Sequence, residues 1–211
     1  MALLTEKLLF IHVPKTGGSS VRAMIAAAGV TCWESGQYAI EDHYGLPELR
    51  AAHPRIEDGL LSFGFVRDPV AWLQSRWAWA LVTEFSYKVQ TRPDAAAHWM
   101  ALCWSNTFEE FAERYLERCA GTYTRTVFGM LGLWMGKPVN RIGRTEHLTL
   151  DLLRFLEEAG EPHDRVRLLA CAREKVAASG GLAARCVAPP DLRRRLLEAE
   201  RPLCERFGYG G

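Results

Sequence analysis

The chain lacks every arrangement of paired cysteines that makes a metal site or a disulfide framework. Its six cysteines, Cys32, Cys103, Cys119, Cys171, Cys186 and Cys204, are scattered without a single C-x-x-C pair. Metal sites need clustered ligands, and disulfide frameworks suit small secreted chains. These six read instead as reduced, packed thiols. A long apolar run is missing too. Leu3, Leu4, Leu8 and Leu9 are interrupted by Glu6 and Lys7. No segment reaches the roughly 18 apolar residues of a membrane span, and no signal-peptide cleavage pattern is present. The expectation is a cytoplasmic protein without stable membrane insertion. Neither sign of charge is in excess: 26 Lys and Arg against 25 Asp and Glu give a formal net charge of +1. A nucleic-acid partner calls for a stronger basic balance, so any anion binding here is local. Fixed-period repeats and low-complexity tracts are also absent.

What is present is ordinary globular material. The 211 residues are 48% hydrophobic and 24% charged, which suits one domain over 1–211. At this length folding buries about 70% of the unfolded surface, enough for a core without staples. "KLLFIHV" (Lys7–Val13) is a nearly continuous apolar run, as a parallel strand covered on both faces requires. "SSVRAMIAAAG" after it is rich in helix formers, with Gly29 placed to end the helix. "LLSFGFV" (Leu60–Val66) is a second strand. It runs into Asp68 and Pro69, a cap and a first helical residue for "VAWLQSRWAWALV". The strand–turn–helix unit therefore occurs twice, with one more helix expected near Leu46–Ala52. Later helices are expected at Ala95–Cys103, Phe108–Cys119, Tyr123–Met135, Leu150–Glu158, Arg165–Ala177 and Asp191–Phe207, with a short strand at Val139–Glu146. This pattern predicts an α/β fold: a P-loop-like three-layer arrangement with a central, mostly parallel sheet flanked by helices and a helix-rich C-terminal half. Ligands of such sheets sit at the carboxyl ends of the strands.

Two turns fall at those ends. In "FIHVPKTGGSS" (Phe10–Ser20), Gly17 and Gly18 permit close backbone approach, and the following helix N-terminus offers unpaired N–H groups that favour phosphate. Lys15 adds a cation, while Thr16, Ser19 and Ser20 add hydroxyl donors. The order departs from the nucleotide-hydrolase P-loop, where the lysine follows the glycines. In the second turn, Arg67 closes a strand and Ser75 stands eight residues on; a guanidinium and a hydroxyl both suit a phosphate.

"HVPKTGGSS" followed by "FGFVRDPVAWLQS" resembles the sulfotransferases that use 3′-phosphoadenosine 5′-phosphosulfate (PAPS), in particular their carbohydrate-type branch. The resemblance implies that Lys15, Thr16, Gly17, Gly18, Ser19 and Ser20 hold the 5′-phosphosulfate. It likewise implies that Arg67 and Ser75 hold the 3′-phosphate. "VNRIGRTEHLTLDLLRFL" is similar to the family's late strand and helix, and "RPLCERFGY" to its closing helix ending at Tyr209. Where the family often has an arginine five residues after Arg67, this chain has Trp72, which leaves the anchoring of Glu146 open. The length and the absence of an anchor fit a small soluble bacterial member.

Sulfuryl transfer to a hydroxyl needs charge stabilisation on the departing phosphate oxygen, and Lys15 suits that role. It also needs a base. His43 is the first candidate, because imidazole titrates near neutral pH and because some family members use a histidine in a similar stretch. Asp42, Glu41 and Glu34 are its competitors. His12, inside the first strand, reads as a packed residue. No acidic ligand set for Mg²⁺ is evident, so no metal is expected. The acceptor is expected to be a glycan or small-molecule hydroxyl, favoured only by analogy with the family branch. Trp72, Trp77, Trp79, Trp99 and Trp104 read mostly as core, with one or two lining a pocket. Arg193–Arg195 reads as a solvated helix face. Two other functions stay open: an Mg-ATP phosphotransferase with an atypical loop, and a nucleotide-binding module without catalysis.

Overall fold

A computed structural model describes residues 2–34, 44–56, 58–82, 99–171, 182 and 186–210, with the backbone alone for Trp33 and Glu34. The protein is α/β. The chain divides into two compact units: the first comprises 1–67 and 126–175, the second 68–125 and 176–211.

The first unit holds the sheet. Its strands are β1 (Leu3–Leu4), β2 (Leu8–Ile11), β3 (Trp33–Glu34), β4 (Leu61–Val66) and β5 (Arg141–Arg144), in the order β3-β1-β2-β4-β5. β4 runs parallel to both β2 and β5, whereas β1 is antiparallel to β2 and β3. The expected mostly parallel sheet is therefore mixed. Its antiparallel edge arises where Glu6 and Lys7 interrupt the apolar run, because they form a tight turn rather than simply ending a strand. Thr5 N–H donates to the Leu8 carbonyl at 2.9 Å, and Leu8 N–H donates to Thr5 Oγ1 at 2.9 Å. The Thr5 hydroxyl donates in turn to Glu161 at 2.5 Å, a carboxylate that also accepts from Lys7 N–H at 3.0 Å.

Alternation along the central strands sorts the two faces. Phe10, Phe63 and Phe65 share one face with Phe155, with ring centroids 5.1 Å apart for Phe10–Phe63 and 5.3 Å for Phe63–Phe155. The buried residues of α1 (Gly18–Ala27), α7 (Leu148–Ala159) and α8 (Arg165–Ala170) complete this cluster. On the opposite face Gly64 leaves room for Leu131: a Cβ at 64 would come within 2.5 Å of its Cδ2. In β5, Gly143 pairs with Phe65, whose ring fills the place of the missing side chain. Ser62 fixes the start of that pairing through Asn140, donating from N–H and Oγ to its Oδ1 at 2.7 Å each.

The second unit is helical: α3 (Pro69–Val82), α4 (Trp99–Cys103), α5 (Phe108–Arg118), the start of α6 (Thr122–Met130), α9 (Pro190–Ala199) and α10 (Arg201–Phe207). The remaining helix, α2 (Leu46–Ala52), belongs to the first unit at the expected place. Asp68 caps α3, accepting from Ala71 N–H at 2.8 Å. Trp72, Trp77 and Tyr123 are buried, and Trp72 stacks on Tyr123 at 4.2 Å. These tryptophans are core, as their sequence pattern suggests; Trp79 is an exposed exception. Each arginine of the 193–195 run meets a carboxylate within the unit: Asp68, Asp191 and Glu113 respectively. The face is solvent-exposed at Arg193 and Arg194, as the sequence reads, and it is ion-paired as well.

Expected helix bounds shift most at three places. The helix expected over Arg165–Ala177 ends at Ala170, because Cys171 takes an extended conformation. α6 stops at Met130 because Gly132, at φ +71°, turns the chain, and Leu133 N–H closes back on the Phe128 carbonyl at 2.8 Å. The helix expected over Asp191–Phe207 breaks at Glu200, since Pro202 has no N–H to continue it. No cysteine is disulfide-bonded, and four of the six are buried. Burial pushes the Cys103 thiol up to about 12 and the Cys204 thiol up to about 11, so both stay protonated at neutral pH. Among the described residues no helix is long and apolar enough to cross a membrane.

Candidate functional site

The parallel register sets three strand ends side by side in the first unit. Ile11 pairs with Gly64, and Val66 with Arg144. The 12–17 loop, Arg67 and Thr145 therefore emerge at one edge of the sheet, the edge where α/β proteins bind ligands.

The loop is tightly folded. Val13 N–H reaches the Ile11 carbonyl at 3.2 Å, and the Thr16 hydroxyl donates to the Val13 carbonyl at 2.8 Å. Thr16 is fully buried, so its side chain supports the turn from inside. Lys15 is the only non-glycine among the described residues with a positive φ, at +68°. For an L-residue with a long side chain this left-handed conformation costs about 1–2 kcal/mol. Such strain persists only where surrounding contacts hold it, and those contacts are visible. The Lys15 carbonyl accepts from Arg67 Nη1 at 3.3 Å, and the next carbonyl, of Thr16, accepts from Thr145 Oγ1 at 2.9 Å.

Gly17 follows at φ +95° and caps α1. It is required twice over, by that angle and by Leu148, whose Cδ1 would lie 2.3 Å from an added Cβ. Gly18 is pressed against the His12 ring, which a Cβ would meet at 2.2 Å. His12, expected inside the first strand, stands one residue past β2 and packs at the mouth of the loop. The first turn of α1 carries Gly18, Ser19 and Ser20, whose N–H groups have no earlier carbonyl within the helix to bond. Together with Lys15 and Arg67 they form a donor set with the chemistry of an oxyanion site. Ser19 is half-buried and Ser20 buried.

Thr145 is the residue that sequence reading passed over. It stands just past β5, in the 3-10 turn Thr145–His147, and its hydroxyl lies 2.9 Å from the Thr16 carbonyl and 3.0 Å from the Val66 carbonyl. One proton thus serves two strand ends, tying the 12–17 loop to β4. The available signal was a small polar residue at the end of a parallel strand, between Arg144 and Glu146. Thr145→Val keeps the shape and removes the proton. It is expected to cost about 1–2 kcal/mol of stability in a urea titration and to loosen anion binding at the loop. Thr145→Ser is expected to restore both.

The remaining candidates lie elsewhere. Ser75 is a half-buried residue of α3 in the second unit, and its assignment to a 3′-phosphate rests on the resemblance alone. His43, Asp42 and Glu41 lie outside the described residues, and Glu34 contributes its backbone to β3. Glu146 is exposed in the 3-10 turn, while Trp72 is buried within the second unit. Among the described residues no group of three or more His, Cys, Asp or Glu is placed to hold a metal ion. Comparison of the chain with models of protein families, with curated proteins and with solved structures found no match.

Proposed function

We propose that the protein is a PAPS-dependent sulfotransferase acting on a hydroxyl of a carbohydrate or small molecule. The observation that carries this reading is the strained Lys15, fixed in the β2–α1 loop by Arg67 from the neighbouring strand end. Strain of that kind at a helix N-terminus, with a second cation beside it, fits a site for a doubly phosphorylated nucleotide. The same proposal includes the P-loop-like three-layer architecture, with β2, the loop and α1 as its phosphate-binding element.

The donor set suits the cofactor chemically. Bound PAPS supplies an activated sulfuryl group. The first-turn N–H groups of α1 and the side chains of Ser19 and Ser20 hold the 5′-phosphosulfate oxygens. Lys15 donates to the bridging oxygen as the sulfur–oxygen bond to the phosphate breaks and charge collects there. Arg67 holds the 3′-phosphate and, through its bond to the Lys15 carbonyl, keeps the loop in place. His43 takes the acceptor hydroxyl proton as the new oxygen–sulfur bond forms; the products are the sulfate ester and the adenosine bisphosphate.

The test is release of 3′-phosphoadenosine 5′-phosphate from PAPS across a panel of neutral and amino sugars and phenols. Acceptor-dependent release, lost in His43→Ala with nucleotide affinity kept, supports the reading. Turnover that requires ATP and Mg²⁺ favours the phosphotransferase, and nucleotide binding without any transfer favours a module lacking catalysis.

A further inference from the structure

Arg76 is a half-buried cation of the second unit, laid among aromatic rings. It lies in α3, one turn beyond Trp72, and its guanidinium carbon sits 5.0 Å from the centre of the Trp72 ring and 5.9 Å from that of Trp99. The two indoles are nearly coplanar in direction, 5.6 Å apart with a 19° tilt, and Trp72 stacks in turn on Tyr123. The group is thus laid on aromatic faces, which favour a cation but offer no lone pair to its five N–H donors.

The consequence is an unmet donor. Nε of Arg76 is buried without a hydrogen-bond partner among the described residues. Five other arginines of the second unit have carboxylates: Arg114 has Glu110, Arg193 has Asp68, Arg194 has Asp191, Arg195 has Glu113 and Arg201 has Glu198. Arg118 and Arg125 donate instead to the Leu102 and Ala120 carbonyls. Burial pushes the Arg76 pKa down to about 10, and the neighbouring Tyr123 phenol opposes the shift. A desolvated cation without a counter-ion destabilises the fold that contains it. Natural sequences rarely keep such a group at the centre of an aromatic cluster where leucine or methionine would pack as well. The residue as a whole keeps partial solvent contact while Nε does not. The terminal nitrogens are therefore the part left to meet an incoming oxyanion, end-on, in the paired geometry that matches a carboxylate. Trp99, itself half-buried, offers an apolar face beside them.

We propose that Arg76 anchors an oxyanion-binding site in the second unit, one that takes a carboxylate carried on an apolar or aromatic ring. The proposal is independent of the sulfotransferase reading, because it uses no residue of the phosphate loop.

The probe is sodium benzoate, with benzyl alcohol as the neutral control and sodium chloride matching the ionic strength. Binding is followed by the arginine Nε–H signals in ¹⁵N-correlated NMR and by calorimetry on the full chain. Saturable benzoate binding that moves one arginine Nε–H signal, absent with benzyl alcohol, is expected for the wild type. Arg76→Met is expected to weaken it by about tenfold or more, the scale of one charge-assisted contact, while unfolding at the same temperature as the wild type or higher. Lys15→Ala is expected to bind benzoate as the wild type does, which separates this site from the phosphate loop. Absence of saturable binding to the wild type overturns the proposal, as does binding unchanged in Arg76→Met. A lower unfolding temperature in Arg76→Met with benzoate affinity intact makes Arg76 a packing residue only. Should that variant not fold, the wild-type Arg76 Nε–H signal decides alone, since a ligand at this site must shift it.

Discussion

Replacing Lys15 with glycine is expected to make the protein more stable and, at the same time, to weaken its hold on an adenosine bisphosphate. The two effects have separate physical causes. Lys15 sits at φ +68°, a conformation that glycine adopts without steric cost. Relief of about 1–2 kcal/mol of strain is partly offset by the extra freedom of glycine in the unfolded chain, leaving a net gain of about 0.5–1 kcal/mol. Loss of the ammonium removes a charge-assisted contact to phosphate worth about 1.5–3 kcal/mol, so nucleotide affinity falls roughly 10- to 150-fold. Turnover is expected to fall further, by about 10²–10³, because the contact strengthens as charge develops on the departing oxygen. Lys15→Ala shares the loss of affinity but keeps the strained backbone, so its stability does not rise. Urea denaturation and calorimetric titration of the two variants separate the terms. A glycine variant that binds the nucleotide like the wild type removes Lys15 from the site.

The largest loss of stability is expected in the second unit, at Glu200. This carboxylate is 2% exposed and collects three buried donors: the Tyr115 hydroxyl, Thr124 N–H at 2.7 Å and the Thr124 hydroxyl at 2.5 Å. Burial, and then the neighbouring Glu200 charge, push the Tyr115 phenol well above its ordinary value, so it acts as a donor at any accessible pH. Tyr115 Oη accepts from Tyr123 N–H at 3.2 Å, which extends the network to the start of α6. Glu200→Ala strands all three donors, each costing about 1–3 kcal/mol when left unmet. Because the donors share one partner their costs do not add in full, and a total of about 3–5 kcal/mol is expected. The unfolding temperature then falls by about 10 °C. Glu200→Gln keeps one acceptor oxygen and is expected to lose about half as much. An alanine variant melting within a degree of the wild type would show that the network does not stabilise the unit.

Several of these features were legible in the sequence because they are local. The apolar run ending at Val13, the glycine pair and the helix formers after it mark a strand–turn–helix without any tertiary information. Asp68 with Pro69 marks the start of α3 in the same way. The placement of Lys15 and Arg67 at two strand ends was readable, but the strain on Lys15 was not, since a lysine gives no sign of a positive φ. The antiparallel edge was missed because Glu6 and Lys7 look like an interruption unless the partners of Thr5 are known. Thr145 and Arg76 were invisible for a shared reason. The role of Thr145 depends on the register of three strands, and the unmet Nε of Arg76 depends on which acceptors among the described residues fail to reach it.

The 12–17 loop is the centre of the functional reading, and thermal unfolding tests that reading most directly. The melt is recorded with 3′-phosphoadenosine 5′-phosphate alone and, separately, with ATP and Mg²⁺. At about 100 times its dissociation constant a ligand adds about 2.7 kcal/mol to stability. For a chain of this size that is a rise of about 5–10 °C, expected with the bisphosphate and reduced in Lys15→Ala and Arg67→Ala. A rise only with ATP and Mg²⁺ contradicts the sulfotransferase assignment and returns the loop to the phosphotransferases.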